Sequence, residues 1–229
     1  MLKANNYFAK NEKEAGITKL NEGTGLEILL PQSIKENYSL PDPALLQIYE
    51  DRSNRILWLL GDVSEEQGYD WVDFILRCNR EDRGVAVDER KPIKLIVANY
   101  GGSLEMARTL ISIIEISKTP IYGYAIGPVC SAASMIFLAC KKKFALSTAY
   151  LMIHKGSCQQ PNADYNTLMA AMDDYKKQVE ELIQFYISHT TFTEEEIRKN
   201  IEKDWYIYTK EALEKGMCDA LVSDIDELL

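Results

Sequence analysis

KLIVANYGGSLEMARTLISIIEISKTPIYGYAIGPVCSAASMIFLAC, residues 94–140, carries the pattern from which the rest of the chain is read. KLIVANY is an apolar run ended by the pair Gly101-Gly102. Its length and β-branched content suit a strand buried on both faces. Ser103 is a good N-cap, and the apolar residues after it recur every three or four positions, so 103–117 reads as a helix. Lys118-Thr119-Pro120 ends it; PIYGYAIG is the next strand and SAASMIFLAC the next helix. Strand and helix alternating at this spacing predict parallel strands joined by right-handed crossovers, hence an α/β fold.

Working outward, RILWLLGDV (55–63) is another buried strand, and ALLQIYEDR before it a short helix. In YDWVDFILRCNRE, Trp71, Phe74, Ile75 and Cys78 fall at helical spacing. The charged stretch 80–91 is a surface loop, with or without a short hairpin. FALS and AYLMIH add strands. Residues 164–189 form the longest helix, with a stripe of Leu168, Met172, Tyr175, Val179, Leu182 and Tyr186. Such a helix packs on its own domain or projects toward another subunit. Thr193 and Glu196 make a capping box, Thr209 caps the helix after it and Gly216 closes that helix. The chain ends in a strand and an acidic tail. Residues 1–43 are polar and weakly patterned apart from LEILLP, and PDP at 41–43 separates this extension from a domain at 44–229.

Lysine plus arginine number 26 against 35 aspartates and glutamates, a net charge of −9. Phosphate backbones need a cationic footprint, so nucleic acid is excluded as the main partner. The five cysteines are odd in number, form no CxxC, and have only two histidines to help hold a metal. The expectation is no metal, no cofactor and a reducing, cytoplasmic setting. The N-terminus has no apolar core of a secretory signal. Residues 121–140 are uncharged and long enough to span a bilayer, but Gly127-Pro128 interrupts them. They read as strand, turn and buried helix, with no membrane partner.

Three distant residues then suggest a site: Ser134 in SAASM, His154 at the end of YLMIH, and Asp204 in EKDWYIY. A serine hydroxyl needs a neighbouring base to become a nucleophile. An imidazole can be that base at neutral pH, and a carboxylate can orient it. The amide of Met135 and one from Gly101-Gly102 are candidate donors to an oxyanion, since glycine permits close approach. Ser131, three residues earlier, is the rival nucleophile; Ser134 is preferred for the two alanines preceding it. His189 reads as structural.

These residues resemble the Clp protease proteolytic subunit, ClpP, a self-compartmentalised serine peptidase, over residues 44–223. RILWLLGDV is similar to the family's first strand, SAASM to its nucleophile motif, and FALSTAYLMIH to the strand leading to its histidine. EKDWYIYTKEALEKGMCDALV is similar to the segment bearing its aspartate, and NYGGS stands where the family has Ser-Pro-Gly-Gly. The resemblance implies Ser134, His154 and Asp204 as nucleophile, base and orienter, with Gly102 and Met135 as oxyanion-hole amides.

It further implies the ClpP/crotonase-like spiral of β-β-α units with 164–189 as a protruding handle. Peptide or unfolded protein would be the substrate, cleaved inside two stacked heptameric rings, a tetradecamer of this subunit. An AAA+ unfoldase would feed the chamber, since this chain has no P-loop motif of its own. Departures mark a divergent member, of the kind found in phages or mobile elements. Cys130-Ser131 replaces the usual residues before Ala-Ala-Ser, Tyr100 replaces a proline, and the loop ACKKKF is short. KGSCQQPNAD lacks the paired glycines of the substrate-binding strand, and the N-terminal extension is not the usual axial loop. They leave open a non-catalytic ring subunit or a phage capsid-maturation peptidase; a crotonase-like acyl-CoA enzyme would share the fold without needing the three polar residues.

Overall fold

The computed structural model describes residues 42–157 and 164–228. The expectations for the 1–43 extension, for Cys158 and for most of KGSCQQPNAD lie outside the described residues. The chain divides into two compact units, Met1–Glu50 and Asp51–Leu229. Of the first, little beyond the opening of helix α1 (Pro43–Ser53) is described; Asp42 Oδ1 accepts from the Ala44 amide at 2.9 Å at its start.

In the second unit the elements follow in the order β1 (Ile56–Val63), α2 (Glu65–Glu81), β2 (Ile93–Gly102), α3 (Leu104–Ile116), β3 (Ile121–Cys130) and α4 (Ala132–Leu138). Then come β4 (Lys142–Ala145), β5 (Tyr150–Ile153), α5 (Tyr165–His189), α6 (Glu194–Asn200), β6 (Trp205–Tyr208), α7 (Thr209–Glu214) and β7 (Ala220–Leu221). The sheet runs β1-β2-β3-β4-β7, all parallel, as the alternating pattern predicts. β5 branches from β3 in parallel and pairs with β6 antiparallel.

Burial follows position in the sheet. Leu95, Ile96 and Val97 of β2 are successive and all buried, so both faces of that strand are covered. β1 lies at the edge, and its Trp58 and Leu60 are each 43% exposed. The expectation of a fully buried first strand is therefore corrected: its apolar run has a covered face and an open one. The 80–91 loop contains a single 3-10 turn, Val87–Glu89, and no hairpin. The 121–140 segment is strand β3 followed by α4, and no helix among the described residues is long and apolar enough to cross a membrane.

The helix ends are set by side chains. Ser103 Oγ accepts from the Met106 amide at 3.2 Å, and Thr193 and Glu196 form the reciprocal capping box. Thr209 is corrected: it is the first residue of α7, and its hydroxyl donates to the Ser147 carbonyl at 3.2 Å. A partly buried clamp ties three turns together. Arg55 at the start of β1 donates two hydrogen bonds, 2.8 and 2.7 Å, to Asp82 at the end of α2. Thr119, in the turn before β3, donates to the same carboxylate at 2.7 Å. The long helix α5 buries Leu182, Ile183 and Tyr186 in the core, whereas Leu168, Met169 and Met172 stay exposed.

Candidate active site

Strand register assembles the site. β5 and β6 pair antiparallel with Ile153 opposite Trp205, so the next residues outward, His154 and Asp204, meet at the end of the ladder. β3 and β5 pair in parallel with Cys130 beside Met152. The Ser131 amide continues that ladder, donating to the Met152 carbonyl at 2.7 Å. Residue 131 is thereby delivered to the imidazole.

Ser131 Oγ lies 2.8 Å from His154 Nε2, and His154 Nδ1 lies 3.1 Å from Asp204 Oδ1. A carboxylate oxygen accepts, so Nδ1 carries the hydrogen in this arrangement and Nε2 is left to accept from the serine. Ser131 adopts φ 53°, ψ −126° at the junction between β3 and α4, a region rarely occupied by residues with a side chain. This is the geometry of a sharp strand-to-helix elbow that thrusts the side chain outward.

Ser134 is elsewhere. The helix opens at Ala132, not at Ser134, so Ser134 sits inside its first turn and is fully buried. Its hydroxyl donates to the Ser131 carbonyl at 2.6 Å and lies 3.1 Å from the Tyr186 hydroxyl. The expectation at Ser134 therefore gives way to Ser131. What separates the two is where the strand stops: β3 runs on to Cys130, past the PIYGYAIG read from the sequence, so the residue at the turn is the first serine of SAAS, not the second.

The Met135 amide is corrected with it. It is engaged with the Ser131 carbonyl at 3.4 Å, as helix hydrogen bonding requires. Ala132 is the first residue of α4, and its amide has no preceding helical carbonyl to bond. Ala132 and Gly102 line one cavity with Ser131 and His154, about 460 Å³ in volume, and Met135 contributes to its wall. The cavity depends on glycine. At Gly101, with φ +111°, a Cβ would lie 2.7 Å from Ser131 Cβ and 3.1 Å from the Cys130 carbonyl oxygen. At Gly102, with φ +145°, it would lie 2.5 Å from the Val63 carbonyl oxygen. The fully buried Asn99 shapes this turn, its Oδ1 accepting from the Gly101 amide at 2.7 Å.

Cys130 adjoins the serine without joining the hydrogen-bond chain. Burial, and secondarily the Asp204 carboxylate, push its thiol up to about 11, so it is protonated at neutral pH. His189 stacks on Phe185 with centroids 4.0 Å apart and faces Glu115 at 3.5 Å, away from this site.

Comparison with known proteins agrees with the fold. The Clp protease family model matches residues 46–224. Proteolytic subunit 1 of the ATP-dependent Clp protease of Rhodopirellula baltica is 26% identical over 173 residues, which covers 74% of this chain and 72% of that protein. Proteolytic subunit 2 from Treponema denticola is 25% identical over 196 residues, covering 83% of this chain and 92% of that protein. The solved structure of a ClpP1 mutant from Listeria monocytogenes matches with a TM-score of 0.68 at 20% identity, over 80% of this chain and 99% of that chain. With a family model spanning most of its length and a fold shared with a solved member, this chain belongs to the Clp protease family.

Proposed function

We propose that this chain is a serine endopeptidase acting through an acyl-enzyme formed on Ser131. The carrying observation is the continuous hydrogen-bond chain from Ser131 Oγ through His154 to Asp204. His154 Nε2 takes the serine proton as Oγ attacks the substrate carbonyl carbon, and the negative charge moves to the carbonyl oxygen. The amides of Gly102 and Ala132 meet that oxygen; one such donor is worth roughly 3 kcal/mol of barrier in measured cases. The imidazolium then protonates the leaving amine as the C–N bond breaks. Water, deprotonated by the same imidazole, hydrolyses the ester and restores Ser131. Asp204 holds the imidazole ring and stabilises its cation.

The substrate is peptide or unfolded protein. A second cavity of about 310 Å³ shares Leu104, Met135, Gln178 and Leu182 with the first, and Ile111 and Phe185 line it further. The paired Arg108 and Glu181 also line it, so it suits a side chain with an apolar body and a polar end next to the scissile bond. The exposed stripe on α5 suits a contact with another copy of this chain, in line with stacked heptameric rings and an AAA+ unfoldase as the source of ATP dependence. The buried, unpaired thiols among the described residues fit a reducing cytoplasm.

The test is covalent. Ser131→Ala should abolish both fluorophosphonate labelling and peptide cleavage by the assembled protein. Undiminished turnover in that variant would overturn the assignment.

A further inference from the structure

The peptide after the elbow serine is held from behind by one buried hydroxyl, which a second buried hydroxyl on another element bonds in turn. Ser134 Oγ, on α4, has one proton, and the 2.6 Å contact commits it to the Ser131 carbonyl. The Tyr186 hydroxyl, reaching from α5 at 3.1 Å, must then be the donor to Ser134. Both side chains are fully buried. Burial pushes the tyrosine hydroxyl well above its ordinary value, which keeps it a donor. A serine bonding back to a carbonyl three residues earlier is common in helices. A second buried hydroxyl from another element, with no other hydrogen bond among the described contacts, is not part of that habit.

What this grip fixes is a direction. The trans peptide between Ser131 and Ala132 is planar, so its N–H points opposite its C=O. The Ser131 carbonyl also accepts from the backbone amides of Ser134 and Met135, at 2.9 and 3.4 Å. The hydroxyl therefore tightens a hold that the helix begins, against the unfavourable φ of 53° at Ser131, and with it the aim of the Ala132 amide.

We propose that Ser134 and Tyr186 are a positioning pair that aims the Ala132 amide at the developing oxyanion and ties the reactivity of Ser131 to the seating of α5. This rests on the reading of Ser131 as nucleophile. Neither residue touches substrate; Tyr186 acts through Ser134.

The experiment compares Ser134→Ala, Tyr186→Phe, the double variant and Ser131→Ala in the assembled protein, each held well below its melting temperature. Fluorophosphonate labelling rate, kcat and KM for a fluorogenic peptide are read together. Outright loss of an oxyanion donor costs roughly 10²–10³-fold, so a loosened one in Ser134→Ala should lower kcat and labelling rate about tenfold with KM nearly unchanged. Tyr186→Phe should lower them about threefold, and the double variant should match Ser134→Ala, as expected for two groups in one relay. Wild-type rates in folded Ser134→Ala and Tyr186→Phe would overturn the proposal, as would a Tyr186→Phe loss that multiplies in full onto Ser134→Ala. If Ser134→Ala does not fold, Ser134→Cys keeps the volume with a weaker donor and carries the same test against Tyr186→Phe. Labelling that survives in Ser131→Ala would instead sink the nucleophile reading, independently of the pair.

Discussion

Gly101 and Ser131 share a space that admits one side chain. Gly101→Ala would force its methyl against Ser131 Cβ and the Cys130 carbonyl at a φ of +111°. We expect it to lose stability by about 1–3 kcal/mol, from strain of this kind, and to lose labelling at Ser131; a melting curve beside a labelling assay checks both. Asp204→Asn should leave the protein folded and depress kcat by roughly 10⁴, as where the orienting carboxylate is lost in a serine protease. Steady-state kinetics would show whether it does. Cys130, with its thiol pushed up to about 11, should resist iodoacetamide at neutral pH while Ser131 still labels, which intact-mass spectrometry resolves. Ser134 and Ser131 differ in one further way that chemistry can read: only the second should carry the covalent probe.

Among the elements, the Arg55–Asp82–Thr119 clamp gathers the start of β1, the end of α2 and the turn before β3. The Arg55 hydrogen bonds, and the Thr119 hydroxyl, hold the Asp82 carboxyl below the usual carboxylate range. A depressed folded-state value stabilises the fold above the unfolded value, about 3.9 for aspartate, and that contribution fades as pH falls through the folded value. Arg55→Met breaks a partly buried pair and should destabilise by roughly 1–3 kcal/mol at pH 7, between the exposed and the fully buried case. The deficit against the parent should narrow in acid, beginning below about pH 4 as the unfolded aspartate protonates and continuing as pH falls through the lower value of the clamp itself. Urea unfolding of both proteins at the two pH values measures this; a deficit that widens in acid would contradict the clamp.

For the molecule as a whole, α5 is the element with two allegiances. Its last turns pack Leu182, Ile183 and Tyr186 into the core, and Tyr175, Gln178 and Leu182 line the reaction cavity. The Tyr175 hydroxyl donates to the Gly156 carbonyl at 3.1 Å, just beyond His154. Its opening turns carry Leu168, Met169 and Met172, 40–45% exposed, with nothing among the described residues to cover them. Leu168→Asp should reduce the assembled mass seen by native mass spectrometry. The stability of the isolated chain should change by no more than about 0.5 kcal/mol, the usual effect at an exposed site. An unchanged mass would remove this stripe from any subunit contact.

How much of this was legible depends on the range of the information. Apolar periodicity and cap residues are local, so β2, α3, β3 and the capping box at Thr193 could be read directly, and the glycine pair marked a turn of unusual backbone. His154 and Asp204 could be placed at the ends of their elements for the same reason. β1 was overread, because an apolar run does not say whether one neighbour or two will cover it. The choice of serine was beyond local reading. Ser131 and Ser134 stand one helical turn apart in a stretch where either could open the helix. What separates them is the pairing of β3 with β5, which carries residue 131 to the imidazole and leaves residue 134 facing Tyr186 in the core. The same shift moves the paired amide from Met135 to Ala132. The sequence by itself determined the elements and the inventory of reactive groups, since those follow from nearest neighbours along the chain. Only the tertiary structure decided which group reacts, since strand register and burial are set by contacts between segments far apart.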